Sequence, residues 1–156
     1  MALLLDPAGL LEILEGNRRL TLRVVQAFPE HELFHYAPAE PLRPFAEMVR
    51  EILDIEAGYV HGIATGEWTV PTLYGEVRSK EELLAACAAV RQRTRELWPQ
   101  VTAERLMAVD EDPWVSGPQR NLDRILYTLE NEIHHRGQGY IYLRLLGIEP
   151  PPFWER

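Results

Sequence analysis

An all-α four-helix bundle is the fold class predicted for this chain, and three observations predict it. Four segments carry apolar residues at helical spacing, two of the links between them are long enough to cross a bundle, and strand signals are weak. With 156 residues the chain is most simply one domain, residues 1–156, large enough to bury a core without staples.

Asp6 and Pro7 read as the N-cap and first position of the first helix. Its stripe of Leu10, Leu11, Leu14, Val24, Val25 and Phe28 ends before Pro29. Glu30 to Arg43, with Pro38 and Pro41, reads as a connector. A second helix is expected from about Pro44 to Thr65, stopping at Gly66, with Val49, Ile52, Leu53, Tyr59, Val60 and Ile63 on its apolar face. Glu56 points into the middle of that face, where a carboxylate needs partners. Glu51 lies near the edge of the opposite, more polar side, beside Glu47, Asp54 and Gly58.

Glu67 to Arg78 reads as a loop or a short extended hairpin. The capping box Ser79 to Glu82 then opens a third helix with Leu83, Leu84, Cys87, Val90 and Leu97 inward, ended by Trp98-Pro99. Val101 to Gly117 is an acidic connector around Asp110, Glu111 and Asp112. The last helix runs from Asn121 to Gly147, with Pro118 just ahead of it and no proline inside.

That last helix has two differentiated sides. Leu122, Ile125, Leu126, Leu129, Ile133, Gly137 and Tyr140 fall on one, which suits either the bundle core or a subunit contact. Thr128, Asn131, His135, Gln138 and Tyr142 fall on the other, with the charged Glu130, Glu132, Arg136 and Arg144 on the flanks. An uncharged polar and aromatic stripe reads as a lining that faces a partly buried space. The alternative is an unusual solvent face or a hydrogen-bonded seam in the core.

Composition excludes several classes. A net charge of −8 with no run of Lys or Arg argues against a general nucleic-acid or anionic-membrane binder. The single cysteine, Cys87, rules out an internal disulfide and a Cys-based zinc site; among alanines at helical spacing it reads as a buried structural thiol. No phosphate-cradling glycine loop or nucleophile elbow is present. The apolar run Met1 to Leu5 is too short for a signal segment, and no stretch approaches the roughly 20 apolar residues of a membrane span, so a cytoplasmic protein is expected.

Asn131 and His135 stand at i, i+4, so both side chains reach one point. A carboxylate from a neighbouring helix would complete three N/O ligands with open positions on a divalent ion, the usual way a bundle assembles a metal site. Imidazole suits zinc, nickel or iron, whereas the neutral amide is a weak ligand. His31 and His35 share that spacing but lie in a proline-bounded connector and read as a solvent-exposed pair. His61 reads as a cap near the end of the second helix, and Trp68, Trp98, Trp114 and Trp154 as core or interface plugs.

The run His135-Arg136-Gly137-Gln138, preceded by Glu132-Ile133-His134 and followed by Tyr142 through Pro150, resembles the last-helix signature of the DinB family. This is the DinB/YfiT-like superfamily of damage-inducible and thiol-transferase-related bundles. Phe45 through Glu56 is similar to the family's second helix, in which a metal-binding His is followed five residues later by an acidic residue. The likeness spans nearly the whole chain. It implies up-down-down-up connectivity, frequent dimers and often a three-His divalent metal site.

Carried over by position, the family's three ligands fall on Glu51, Asn131 and His135, of which only the last keeps the histidine. The acidic partner falls on Glu56, expected to bond behind the ligands, and Gln138 and Tyr142 are the substrate candidates. Two functional classes follow from the resemblance. One is a divalent-metal-dependent enzyme with a degenerate site, taking Ni, Zn, Mn or Fe and transferring the sulfur of a low-molecular-weight thiol. The other is a non-catalytic, stress-associated bundle with a remodelled pocket that binds a small molecule or acts as a dimeric interaction protein. A homodimer is expected in either case, with no nucleic-acid or membrane partner.

Overall fold

The computed structural model describes residues 5–156; the apolar run at Met1 to Leu4 lies outside them. Four long helices form the molecule: α1 (Pro7–Ala27), α3 (Phe45–Thr65), α4 (Lys80–Leu97) and α6 (Asn121–Leu145). Two short ones, α2 (Glu30–His35) and α5 (Ala103–Met107), lie in segments that read as connectors. Both are too brief to carry a periodic apolar stripe. A two-residue antiparallel ladder joins β1 (Val109–Asp110) to β2 (Gln119–Arg120).

Local chemistry sets the helix ends. The Asp6 carboxylate accepts the Gly9 N–H at 2.8 Å, and the Ser79 hydroxyl accepts that of Glu82 at 3.1 Å. Glu82 reaches back to the Arg78 N–H at 2.7 Å, one residue beyond the usual capping-box partner. Gly66 closes α3 in the left-handed conformation. His61 lies a turn inside α3 and caps nothing.

Two apolar clusters reveal the connectivity. One gathers the end of α1 (Val24, Val25) with the beginnings of α3 (Phe45, Val49) and α4 (Leu83, Cys87) and the end of α6 (Leu143). The other gathers the beginning of α1 (Leu10, Leu14) with the ends of α3 (Val60, Ile63) and α4 (Leu97) and the beginning of α6 (Ile125). So α1 and α6 run one way and α3 and α4 the other, which is up-down-down-up. Around the bundle the order is α1, α6, α3, α4.

Since α3 and α4 are parallel, the link between them must return the length of the bundle, and it lies along the outside of α3 as a strap. Trp68 packs over Gly62, where a Cβ would come within 2.1 Å of its ring. Farther along, Val70 meets Gly58 and the Tyr74 hydroxyl donates to Asp54 at 2.7 Å. No strand forms there. The acidic connector is tied down by fully buried Arg124, which donates to Asp112 at 2.8 Å and stacks on Trp68. Trp98 is buried and donates to the Pro7 carbonyl; Trp154, expected as a core or interface plug, is 71% exposed and so not in the core.

Between the two apolar clusters lies a polar layer with members from all four long helices. Arg18 of α1 donates to Glu56 of α3 at 2.6 Å and to Glu132 of α6 at 2.9 Å. Arg91 and Thr94 of α4 donate to Glu56 at 2.9 and 2.6 Å, Thr21 donates to Glu132, and Arg136 donates to the Asn17 side chain at 2.9 Å. Glu132 and Arg136, placed by the sequence on the flanks of the polar stripe, are thus buried. The arc of α6 that faces inward spans both α1 and α3 and is mostly polar, whereas Ile133 is 42% exposed. No helix among the described residues is long and apolar enough to cross a membrane.

Candidate functional site

A glycine lets α3 and α6 come close together. A Cβ on Gly139 would meet the buried Phe45 ring at 2.6 Å, so only glycine lets the two helices pack this tightly one turn beyond His135. This brings Glu51, Asn131 and His135 together. His135 Nε2 lies 3.0 Å from Glu51 Oε1, and Asn131 Nδ2 donates to the same oxygen at 3.3 Å. His135 and Asn131 are buried, while Glu51 is partly open to solvent.

Arg43, just ahead of α3, completes the set: its Nη2 lies 2.7 Å from Glu51 Oε2. The sequence offered no signal for this residue, which sits in a proline-rich connector. Burial by itself would raise the Glu51 pKa, but hydrogen bonds from His135, Arg43 and Asn131 hold the carboxyl down to about 2. Gln138 stands behind the imidazole, its Nε2 3.3 Å from His135 Nδ1 and 3.0 Å from His134 Nε2. Ionised Glu51 can only accept, so His135 carries its proton on Nε2 and donates it to Glu51, while Gln138 donates to Nδ1.

Two expected roles change. Glu56 does not stand behind Glu51, because five residues of helix turn it about 140° away, into the polar layer. Tyr142 is buried and its hydroxyl donates to the Arg43 carbonyl at 3.0 Å, so it steadies Arg43 rather than facing an open space.

An open cavity of about 280 Å³ lies beside the cluster, lined by Arg43, Glu47, Arg50, Glu51 and Asp54. Asp54 also borders an apolar hollow of about 200 Å³ formed by Ile55, Gly58, Tyr59, Val70 and Trp114 under the strap. A charged recess therefore adjoins an apolar one along α3.

As a donor set for a cation, the cluster holds one carboxylate, one imidazole and one amide. Among the described residues no group of three or more His, Cys, Asp or Glu is poised to hold an ion. Asn131 Oδ1, however, is buried with no hydrogen-bond partner, and turning that amide over would aim its oxygen toward Glu51. The three donors then fit a weak N/O site for a divalent ion.

The up-down-down-up bundle of four long helices is an architecture that this chain shares with known proteins. Residues 4–156 match the DinB family, and the chain belongs to it. Two solved structures share the fold. One is a DinB-like protein of Bacillus subtilis, YjoA, 21% identical with a TM-score of 0.77. The other is a DinB-like protein of Bacillus cereus, 17% identical with a TM-score of 0.67. Each alignment covers 94% of this chain and 97% of the other. Comparison with curated proteins found no match.

Proposed function

We propose that the chain is a cytoplasmic small-molecule enzyme of the DinB family, a divalent-metal-dependent S-transferase that uses a low-molecular-weight thiol. The observation that carries this reading is the convergence of Glu51, Asn131 and His135, from two helices, with Glu51 also in the wall of an open cavity. These three residues would hold the ion, Ni, Zn, Mn or Fe. When bound, the ion would lower the pKa of a thiol and present the thiolate to an electrophile. Gln138 orients the imidazole, Arg43 holds the second oxygen of Glu51, and the apolar hollow beside Asp54 takes the hydrophobic part of the electrophile.

Titration calorimetry with each of the four ions tests the reading. Saturable binding with one ion per chain is expected, the ion displacing the hydrogen bond between His135 and Glu51. If none of the four binds, the metal-dependent reading is wrong.

A second reading rests on Arg43. Its guanidinium already neutralises Glu51, which supports a remodelled, non-catalytic pocket in a stress-associated protein that binds a small molecule. Under either reading the chain pairs with a second copy, supported by the exposed Ile133, Ile141 and Leu145 along the outer side of α6. Sedimentation at micromolar concentration is expected to give a dimer; a clean monomer would overturn the pairing.

A further inference from the structure

On the opposite edge of the bundle, between α1 and α4, lies a hollow of about 330 Å³ that shares no residue with the site above. Arg18, Arg19, Arg91 and Arg95 line it, with Glu15 as the only carboxylate in the lining and Cys87 beside them. Four guanidiniums against one carboxylate is an unusual lining in a protein of net charge −8.

The buried guanidiniums are not fully satisfied. Arg18 uses Nε and Nη2 on Glu132 and Glu56, and Arg91 uses the same two nitrogens on Glu56. Nη1 of each has no hydrogen-bond acceptor, the nearest carboxylate oxygen to Arg91 Nη1 being that of Glu15 at 3.8 Å. Both residues are 3% exposed. Glu15 is itself taken by Arg95 in a two-pronged bond of 2.7 and 2.9 Å. The polar layer behind the hollow sets Arg18, Arg91 and Arg136 against Glu56 and Glu132, which leaves one positive charge uncompensated in the interior. Burial keeps the Cys87 thiol neutral, its pKa pushed up to about 11, so it adds no negative charge.

We propose that this hollow is a binding site for a small oxyanion, a molecule carrying a phosphate or carboxylate group held by Arg18 and Arg91. A planar guanidinium with free N–H groups matches either oxyanion, and the anion supplies the charge the layer lacks. The hollow is large enough for a compact metabolite but not for a macromolecule.

Thermal unfolding of the full chain with inorganic phosphate or succinate, each against chloride at equal ionic strength, tests the site. A saturable rise in Tm with at least one of them is expected. A response to phosphate alone identifies a phosphate-bearing ligand, to succinate alone a carboxylate one, and to both a general oxyanion site. Ala88→Glu places a carboxylate at the exposed wall of the hollow without touching the layer, and should abolish the shift. Arg95→Gln, a half-exposed position, leaves Glu15 unneutralised and should weaken binding about tenfold. No shift beyond chloride with either anion, or a full shift retained in both variants, would overturn the proposal.

Discussion

Glu56→Ala is expected to lower the free energy of unfolding by about 3–5 kcal/mol, measured by urea denaturation. The carboxylate is fully buried and receives Arg18, Arg91 and Thr94 together. Removing it strands the Arg91 guanidinium and leaves Arg18 with Glu132 alone, and a buried charge without its partner is far costlier than a lost surface pair. The same bonds make the layer sensitive to acid. Burial would raise the Glu56 pKa, but the charges of Arg18 and Arg91 and the bonds from Arg91 and Thr94 outweigh it and hold the carboxyl at about 2. A depressed carboxyl stabilises the fold fully above its ordinary pKa of 4.5, and that contribution fades as the pH falls toward 2. The Glu56→Ala variant should lack this part of the acid transition.

Asn131→His and His135→Ala should move metal binding in opposite directions. An imidazole at 131 would face Glu51 beside His135 and replace the weakest of the three donors. His135→Ala removes a donor outright, so its cost should reach at least the roughly 100-fold that is the most an orienting partner usually costs. Calorimetry with nickel or zinc reads both. If Asn131→His binds tightly and the parent not at all, the parent has lost metal chemistry and the non-catalytic reading stands. If His135→Ala leaves affinity unchanged, the ion sits elsewhere.

Much of this architecture was legible in the chain. Asp6, Ser79 and Gly66 marked helix ends because capping is local chemistry, and the side of α6 bearing Asn131 and His135 was recognisable by its want of charge. What escaped had no local signature. Arg18 and Arg91 meet Glu56 across 38 and 35 residues of sequence, and nothing near either arginine marks it as buried. Glu132 and Arg136 read as flanks of the polar stripe, but a helix wedged between two neighbours buries a wider arc than one stripe suggests. Arg43 was hidden for a similar reason: its position depends on the Tyr142 hydroxyl, 99 residues away.

The layer of charges across the middle of the bundle also acts as an axial key. Aliphatic side chains alone would tolerate one rod sliding past another by a turn, about 5.4 Å, with modest repacking. Such a slip would pull Glu56 off Arg18 and Arg91 at once and leave ions of both signs stranded in oil. The four rods therefore have one sliding position open to them, and Glu51 and His135, mounted on two of those rods, are held opposite each other by contacts made elsewhere.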